Sequence, residues 1–174
     1  SFFVKMQNVR YVLKNYLKDR SNFFVELSHK TKLPFVNTYL TPETLGKDRI
    51  AAVAGAAWLK PNTDLLVIDA GTAITFDFID ANSIYHGGNI APGIEMRARA
   101  LHQYTSKLPY VVPKEEITLL GNNTINAINS GIIQGIVFEI DGYIQTLKIK
   151  YPELSTFLTG GSIFYFDKKL KNSI

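Results

Sequence analysis

Apolar residues recur along this chain in two rhythms. Over residues 8–18 (NVRYVLKNYLK), Val9, Val12, Leu13, Tyr16 and Leu17 fall three and four apart. That spacing predicts an amphipathic helix, with Asn8 as a cap. Residues 23–27 (FFVEL) predict a strand. A connector over 34–45 follows, then an Ala-rich helix over 49–58. Residues 65–69, 74–79 and 83–85 are apolar runs separated by Ala70-Gly71-Thr72-Ala73 and Asp80-Ala81-Asn82. They predict a meander of three strands leading into Gly87-Gly88 and Pro92-Gly93. Pro92 fits the first position of a helix that runs to Tyr104. The longest helical pattern begins after Gly121-Asn122-Asn123-Thr124. There Ile125, Ile128, Ile132, Ile133, Ile136, Val137, Ile140, Ile144 and Leu147 recur, with Thr124 as the expected N-cap. Glycines 131, 135 and 142 interrupt that pattern and predict a second backbone packed closely against it. Residues 154–158 predict a short strand ending in Thr159-Gly160-Gly161, followed by a helix from about Ser162.

Composition narrows the class. The chain has 174 residues, 46% of them hydrophobic and 12% aromatic, which is ample for a packed core. It has no cysteine, which excludes disulfides and thiolate metal sites. No apolar run approaches the ~18 residues of a spanning helix, so a soluble cytoplasmic protein without a membrane partner is expected. The net charge of +4 arises from 19 basic and 15 acidic residues, scattered apart from small clusters at Lys30-Lys32 and Lys168-Lys169-Lys171. No aromatic–basic interleave resembles an RNA platform, so no nucleic-acid partner is expected. His29, His86 and His102 share no ligand spacing and read as loop or helix-surface residues, which argues against zinc.

The candidate chemistry lies where strands and helices end. Asp48 and Arg49 fall at a helix N-terminus. Asp48 reads either as a cap or first-turn acid, or as a carboxylate placed to take a proton from an attacking hydroxyl. Arg49 could hold an anionic substrate by a bidentate contact. Asp69 closes a buried strand and is followed by Gly71 and Thr72. It reads as a turn-capping residue, or as a charge set with backbone N–H groups beside a phosphate. Asp77 and Asp80 read as turn or surface acids, and Tyr39 as a turn aromatic.

The run Asp69-Ala70-Gly71-Thr72-Ala73-Ile74-Thr75-Phe76-Asp77 resembles the second phosphate motif of the actin-like kinases. Gly87-Gly88-Asn89-Ile90-Ala91-Pro92-Gly93, Leu101 and Thr105-Ser106-Lys107-Leu108-Pro109 resemble the type III pantothenate kinases in particular. The likeness runs from about Tyr39 to Gly161, and several motifs agree in order and spacing, where a lone short Gly motif would be weak. It implies an α/β chain of actin-like ATPase (ribonuclease H-like) fold, a mixed sheet flanked by helices, in two lobes with a cleft. Residues 1–62 would be the remainder of the first lobe and 63–174 a truncated second lobe.

The resemblance also implies roles. Asp48 would be the general base. Tyr39, Gly46, Lys47, Asp48 and Arg49 would contact pantothenate, and Thr124 would reach it across a homodimer interface. Gly71 and Thr72 would meet the ATP phosphates, and Gly160 and Gly161 the adenosine. Asp69 would help bind a monovalent cation, potassium or ammonium, while Mg²⁺ would accompany ATP. The reaction implied is phosphorylation of pantothenate to 4′-phosphopantothenate, which opens coenzyme A synthesis. The family's earlier phosphate motif, Asp-x-Gly-Asn-Thr, has no counterpart in this sequence, so the chain is expected to be a fragment. A catalytically silent binding homologue is the alternative.

Overall fold

The computed structural model describes residues 14–16, 18–20, 25–166 and 170. The chain divides into two compact units, Ser1–Thr31 and Lys32–Ile174. In the first, residues 14–16 and 18–20 are helical, and the rest of the helix expected over 8–18 lies outside the described residues. Of the strand expected over 23–27, Phe23 and Phe24 lie outside them as well. Residues 25–27 are not strand. Lys14 Nζ sits 2.5 Å from Glu26 Oε2, an exposed pair that adds little stability.

The second unit is built on a five-stranded mixed sheet flanked by helices. In chain order it contains β1 (Val36–Asn37), α1 (Lys47–Leu59), β2 (Leu65–Ala70), β3 (Ala73–Ile79), β4 (Ile84–Pro92), α2 (Ile94–Gln103), α3 (Thr124–Lys150) and β5 (Ser155–Thr159). The strand order is β1-β4-β3-β2-β5. β2, β3 and β4 form the expected antiparallel meander, while β1 and β5 add in parallel at the edges. Thus β1, from the stretch expected to belong to a first lobe, shares this sheet. β4 extends beyond the predicted 83–85. Pro92 ends that strand, and the helix begins only at Ile94 with Gly93 as its N-cap, so Pro92 is not a first helical residue. Gly93 N donates to Thr72 O across 3.1 Å, which fixes the strand's exit instead.

Alternation along β2 and β3 sorts the two faces of the sheet. Leu66, Ile68, Ala70, Ile74, Phe76 and Phe78 pack with Ile132, Ile133, Ile136, Ile140 and Ile144 of α3 in the main core. The opposite face carries Leu65, Val67, Asp69, Asp77 and Ile79, and α1 packs there through Ile50, Val53 and Ala56. Alanines at 51, 52, 54, 56 and 57 favour this helix, and Lys60-Pro61 ends it. α3 is the long helix expected and runs for 27 residues, about 40 Å at 1.5 Å per residue. Its N-cap is Asn123, whose side chain accepts from Asn126 N, and not Thr124. A one-residue shift suffices because an Asn side chain caps as well as Thr. Gly131 and Gly142 face open space, and the nearest neighbour of Gly135 is the Arg97 guanidinium, so no second backbone within the described residues explains them. Buried Asn129 binds the backbone of Lys114 and Glu116, which pins the loop between α2 and α3. After β5 the described residues show a short 3-10 turn, Ile163–Tyr165, at the place of the expected helix; Lys168, Lys169 and Lys171 lie outside them. Among the described residues no helix is long and apolar enough to cross a membrane.

Candidate functional site

The N-terminus of α1 faces the α1 side of the sheet, and two clusters of residues meet there. The first surrounds Arg49. This side chain is 4% exposed and points at Asp77, which is 1% exposed in the middle of β3. Arg49 Nε donates to both Asp77 oxygens (3.0 and 3.1 Å), and Nη2 donates to Asp77 Oδ1 (2.7 Å) and to the Tyr85 hydroxyl (3.2 Å). Tyr85 in turn donates to Asp77 Oδ1 across 2.5 Å. Burial alone would lower the Arg49 pKa, but the bonds to Asp77 and its charge outweigh it and hold the guanidinium above its ordinary value. Burial, then the bond to Asp77 and its charge, raise the Tyr85 phenol well above the usual range. Asp77 is therefore neither a turn acid nor a surface acid, as its sequence position between two turns had predicted. It is the buried counter-ion of Arg49. Asp80 does lie at the turn, where it accepts from Asn82 N and Ile84 N and pairs with His86 at 2.8 Å.

A β-bulge gives Tyr85 its place. Gly88 pairs with Asp77 and Gly87 with Phe78, but Ile79 pairs with Tyr85, so His86 is an extra residue in β4. Without it Tyr85 would point to the α3 side. With it, Tyr85 shares a face with Asp77. Gly88 is needed at this crossing because a Cβ there would overlap Phe76 O and lie 2.9 Å from Asp77 Cα. Thr38 binds Tyr85 O through its N–H (3.2 Å) and its hydroxyl (2.7 Å), and this tie sets Tyr39 beside the site. The Tyr39 ring lies 5.7 Å from the Arg49 guanidinium carbon and rests against Gly87, where a φ of 99° would strain a side chain and a Cβ would lie 3.1 Å from the ring. Gly46 caps α1 without a side-chain bond. Lys47 and Asp48 are exposed in the first turn, and Asp48 Oδ1 accepts from Arg49 N at 2.9 Å.

The second cluster lies at the end of β2. Asp69 is half-buried, and the turn Gly71–Thr72 closes through Gly71 N to Ala73 O (3.1 Å). Gly93 abuts this turn, and Gly160 abuts the strand end from β5. With φ at 100°, a Cβ on Gly160 would lie 2.5 Å from Asp69 Oδ1 and 2.6 Å from the Ala70 backbone. Ser162 N donates to Ala70 O (3.0 Å), which folds the segment after β5 over β2. Gly161 faces open space. The two clusters interact: burial first, then the negative charges of Asp48 and Asp77, raise the pKa of Asp69. The structure thus brings together Tyr39, Gly46, Lys47, Asp48, Arg49, Asp69, Gly71, Thr72, Gly160 and Gly161.

Thr124 has a different setting. It lines an apolar groove of about 830 Å³ between α2 and α3, with Leu101, Tyr104, Leu108, Ala127 and Gly131, and none of the residues above borders that groove. Sequence reasoning missed Asp77, Tyr85 and Gly93. A carboxylate inside the apolar run Ile74-Thr75-Phe76-Asp77-Phe78-Ile79 was the available signal for the first. Among the described residues no group of three or more His, Asp or Glu side chains is arranged to hold a metal ion.

Comparison with known proteins gives the family of the chain. The family model for type III pantothenate kinase matches residues 4–146. A type III pantothenate kinase of Phocaeicola vulgatus is 57% identical over 150 residues, covering 86% of this chain and 62% of that protein. One from Bacteroides fragilis is 53% identical over 148 residues, covering 85% and 61%. The chain therefore spans about three fifths of the length of these relatives. A crystal structure from Campylobacter jejuni, whose description names the Baf family of transcriptional activators, is 30% identical with a TM-score of 0.57. The match covers 93% of this chain and 69% of that one.

Proposed function

The chain belongs to the type III pantothenate kinases, and on that premise we propose that the protein transfers the γ-phosphoryl group of ATP to the primary hydroxyl of pantothenate, giving 4′-phosphopantothenate for coenzyme A synthesis in the cytoplasm. In this reading the sheet belongs to an actin-like ATPase fold of two lobes, with the acceptor and the nucleotide meeting in the cleft between them. The observation that carries the reading is the pair of adjoining clusters: an exposed carboxylate at a helix start, beside a buried arginine, facing a strand end with a Gly-Thr turn.

The acceptor oxygen forms a bond to the γ-phosphorus as the bond to the bridging oxygen of ADP breaks. Asp48 takes the hydroxyl proton. It is exposed on the first turn of α1, where Oδ1 accepts from Arg49 N and, among the described residues, Oδ2 is left open to a donor. Tyr39, Gly46, Lys47 and Arg49 contact pantothenate around it. The Gly71–Thr72 turn meets the phosphates through the Thr72 backbone N–H and hydroxyl, while the Gly71 N–H closes the turn on Ala73 O. Gly160 holds the strand end and Gly161 offers its open face to the adenosine. We assign Asp69 to a potassium or ammonium ion: burial first, then the charges of Asp48 and Asp77, disfavour its ionised form, and a cation would relieve that. Mg²⁺ bound with ATP spreads the phosphate charge, as phosphoryl transfer requires.

We further read the protein as a homodimer. The α2–α3 groove that holds Thr124 and the open Gly131 is the face a second copy would cover, bringing Thr124 to the partner's pantothenate. The test is ATP-dependent formation of 4′-phosphopantothenate by the full-length protein. Absence of that product with potassium and Mg²⁺ present would refute the reading.

A further inference from the structure

A buried ion pair is an expensive way to fill a sheet face, because desolvating both charges offsets most of their attraction. An apolar pair at 49 and 77 would serve the fold as well. The Arg49–Asp77–Tyr85 arrangement nevertheless satisfies every bond it uses: among the described residues, no buried side-chain polar atom lacks a partner. It draws on a glycine at 88 and a bulge at 86 to bring its members together. It also commits Nε and Nη2 of Arg49, the edge that a free arginine would offer to a carboxylate, to Asp77 and Tyr85. Nη1 makes none of these bonds, and a further hydrogen bond with the Tyr39 side chain also favours the charged guanidinium. A guanidinium held along one edge by two carboxylate oxygens, and braced by a phenol, has lost its freedom to rotate.

We propose that Asp77 and Tyr85 are positioning residues of the acceptor site, which lock the Arg49 guanidinium so that its Nη1 end meets the acceptor in one orientation. This rests on the pantothenate kinase reading above. Asp77 balances the Arg49 charge, so the acceptor is held by directed hydrogen bonds more than by net charge. Tyr85 donates to Oδ1 while accepting from Nη2, which ties the pair to β4 and so to Tyr39 and Gly87. Neither residue touches the transferred phosphoryl group in this account; both act through Arg49.

The experiment uses the full-length protein and three substitutions: Asp77→Asn, Tyr85→Phe and Arg49→Lys. Asp77→Asn weakens charge-assisted bonds to Arg49, and the KM for pantothenate should rise about 10- to 100-fold. The KM for ATP should stay within about twofold. Tyr85→Phe keeps the ion pair and should raise the pantothenate KM less, roughly two- to tenfold. In the Arg49→Lys background both effects should collapse, because the residue through which they act has been replaced. A merely structural role would lower the melting temperature and leave the pantothenate KM of the folded enzyme unchanged, which would overturn the proposal. Effects that persist undiminished in the Arg49→Lys background would overturn it too. If Asp77→Asn does not fold, Tyr85→Phe and its double variant with Arg49→Lys decide alone. Failure of the wild type to phosphorylate pantothenate would sink the underlying reading. A competent wild type with an unchanged KM in Tyr85→Phe and Asp77→Asn would sink only this inference.

Discussion

Adjacent glycines at 160 and 161 should respond to the same substitution in opposite ways. Gly160 has a φ of 100°, where an L side chain is strained by about 1–3 kcal/mol. A methyl there also meets Asp69 Oδ1 at 2.5 Å and the Ala70 backbone at 2.6 Å, and overpacking against backbone costs about 1–3 kcal/mol more. Gly160→Ala should therefore lose about 2–6 kcal/mol, a large part of a stability of about 5–15 kcal/mol. At about 2–4 °C per kcal/mol, the melting temperature should fall by at least about 4 °C. Gly161 is outside the positive-φ region and a methyl there meets nothing within 4 Å. Gly161→Ala should melt with the wild type. If its open face is where adenosine lies, the KM for ATP should rise roughly tenfold or more while that for pantothenate stays put. Thermal unfolding of both variants, with steady-state kinetics on Gly161→Ala, reads the two effects separately. A Gly160→Ala protein melting within about 2 °C of wild type would refute the steric argument, and an unchanged ATP KM in Gly161→Ala would remove the adenosine from this face.

Asp48→Asn should bind ATP normally but lose about 10²–10⁴-fold in kcat, the usual worth of a general base; near wild-type turnover would reassign the base. Asp69→Asn should be inactive yet melt higher than wild type at pH 7 in potassium-free buffer, because the folded state raises the Asp69 pKa and so penalises its ionised form. The sign fixes the pH dependence: the two proteins should converge below about pH 3–4, where the carboxyl is protonated folded and unfolded, and separate as pH rises. An equal or lower melting temperature at pH 7 would contradict it. Wild-type activity should fall when sodium replaces potassium, and equal rates in the two salts would dismiss the cation. Gly131→Glu should gain about 0.5–1 kcal/mol of helix propensity and still run as a monomer in light scattering with weakened pantothenate binding. A folded dimer would reject the groove as the interface. Ile132 and Ile136 are unsuitable for that purpose, being buried in the chain's own core.

The elements with strong periodicity were legible in sequence. β2, β3, α1, α3 and β5 appear where apolar runs, an Ala-rich segment or the three-four spacing put them, since each signal records burial that the element itself brings. What failed were features that depend on contacts distant in sequence. Pro92 continues a strand because Gly93 binds Thr72 O, a partner 21 residues back. Thr124 lost the cap to its neighbour, a choice between near-equal chemistries. Asp77 looked like a turn acid because its counter-ion stands 28 residues away in α1. The candidate site was read at Tyr39, Asp48, Arg49 and Asp69, which do adjoin. It was misread at the residue that holds Arg49 in place.

The bulge at His86 makes part of this site a matter of counting. Among the described residues His86 itself bonds Asp80 alone and rests on Phe78 at the surface, so many residues could stand there at small cost. Removing the position is another matter. With one residue fewer, everything before it in β4 would rotate by half a turn. Tyr85 would swing into the isoleucine layer, and Asp77 would be left facing Arg49 without its brace. Selection at this point should tolerate a wide alphabet and no gap. Among homologues the spacing from Tyr85 to Gly88 would be held more firmly than the identity of His86 between them.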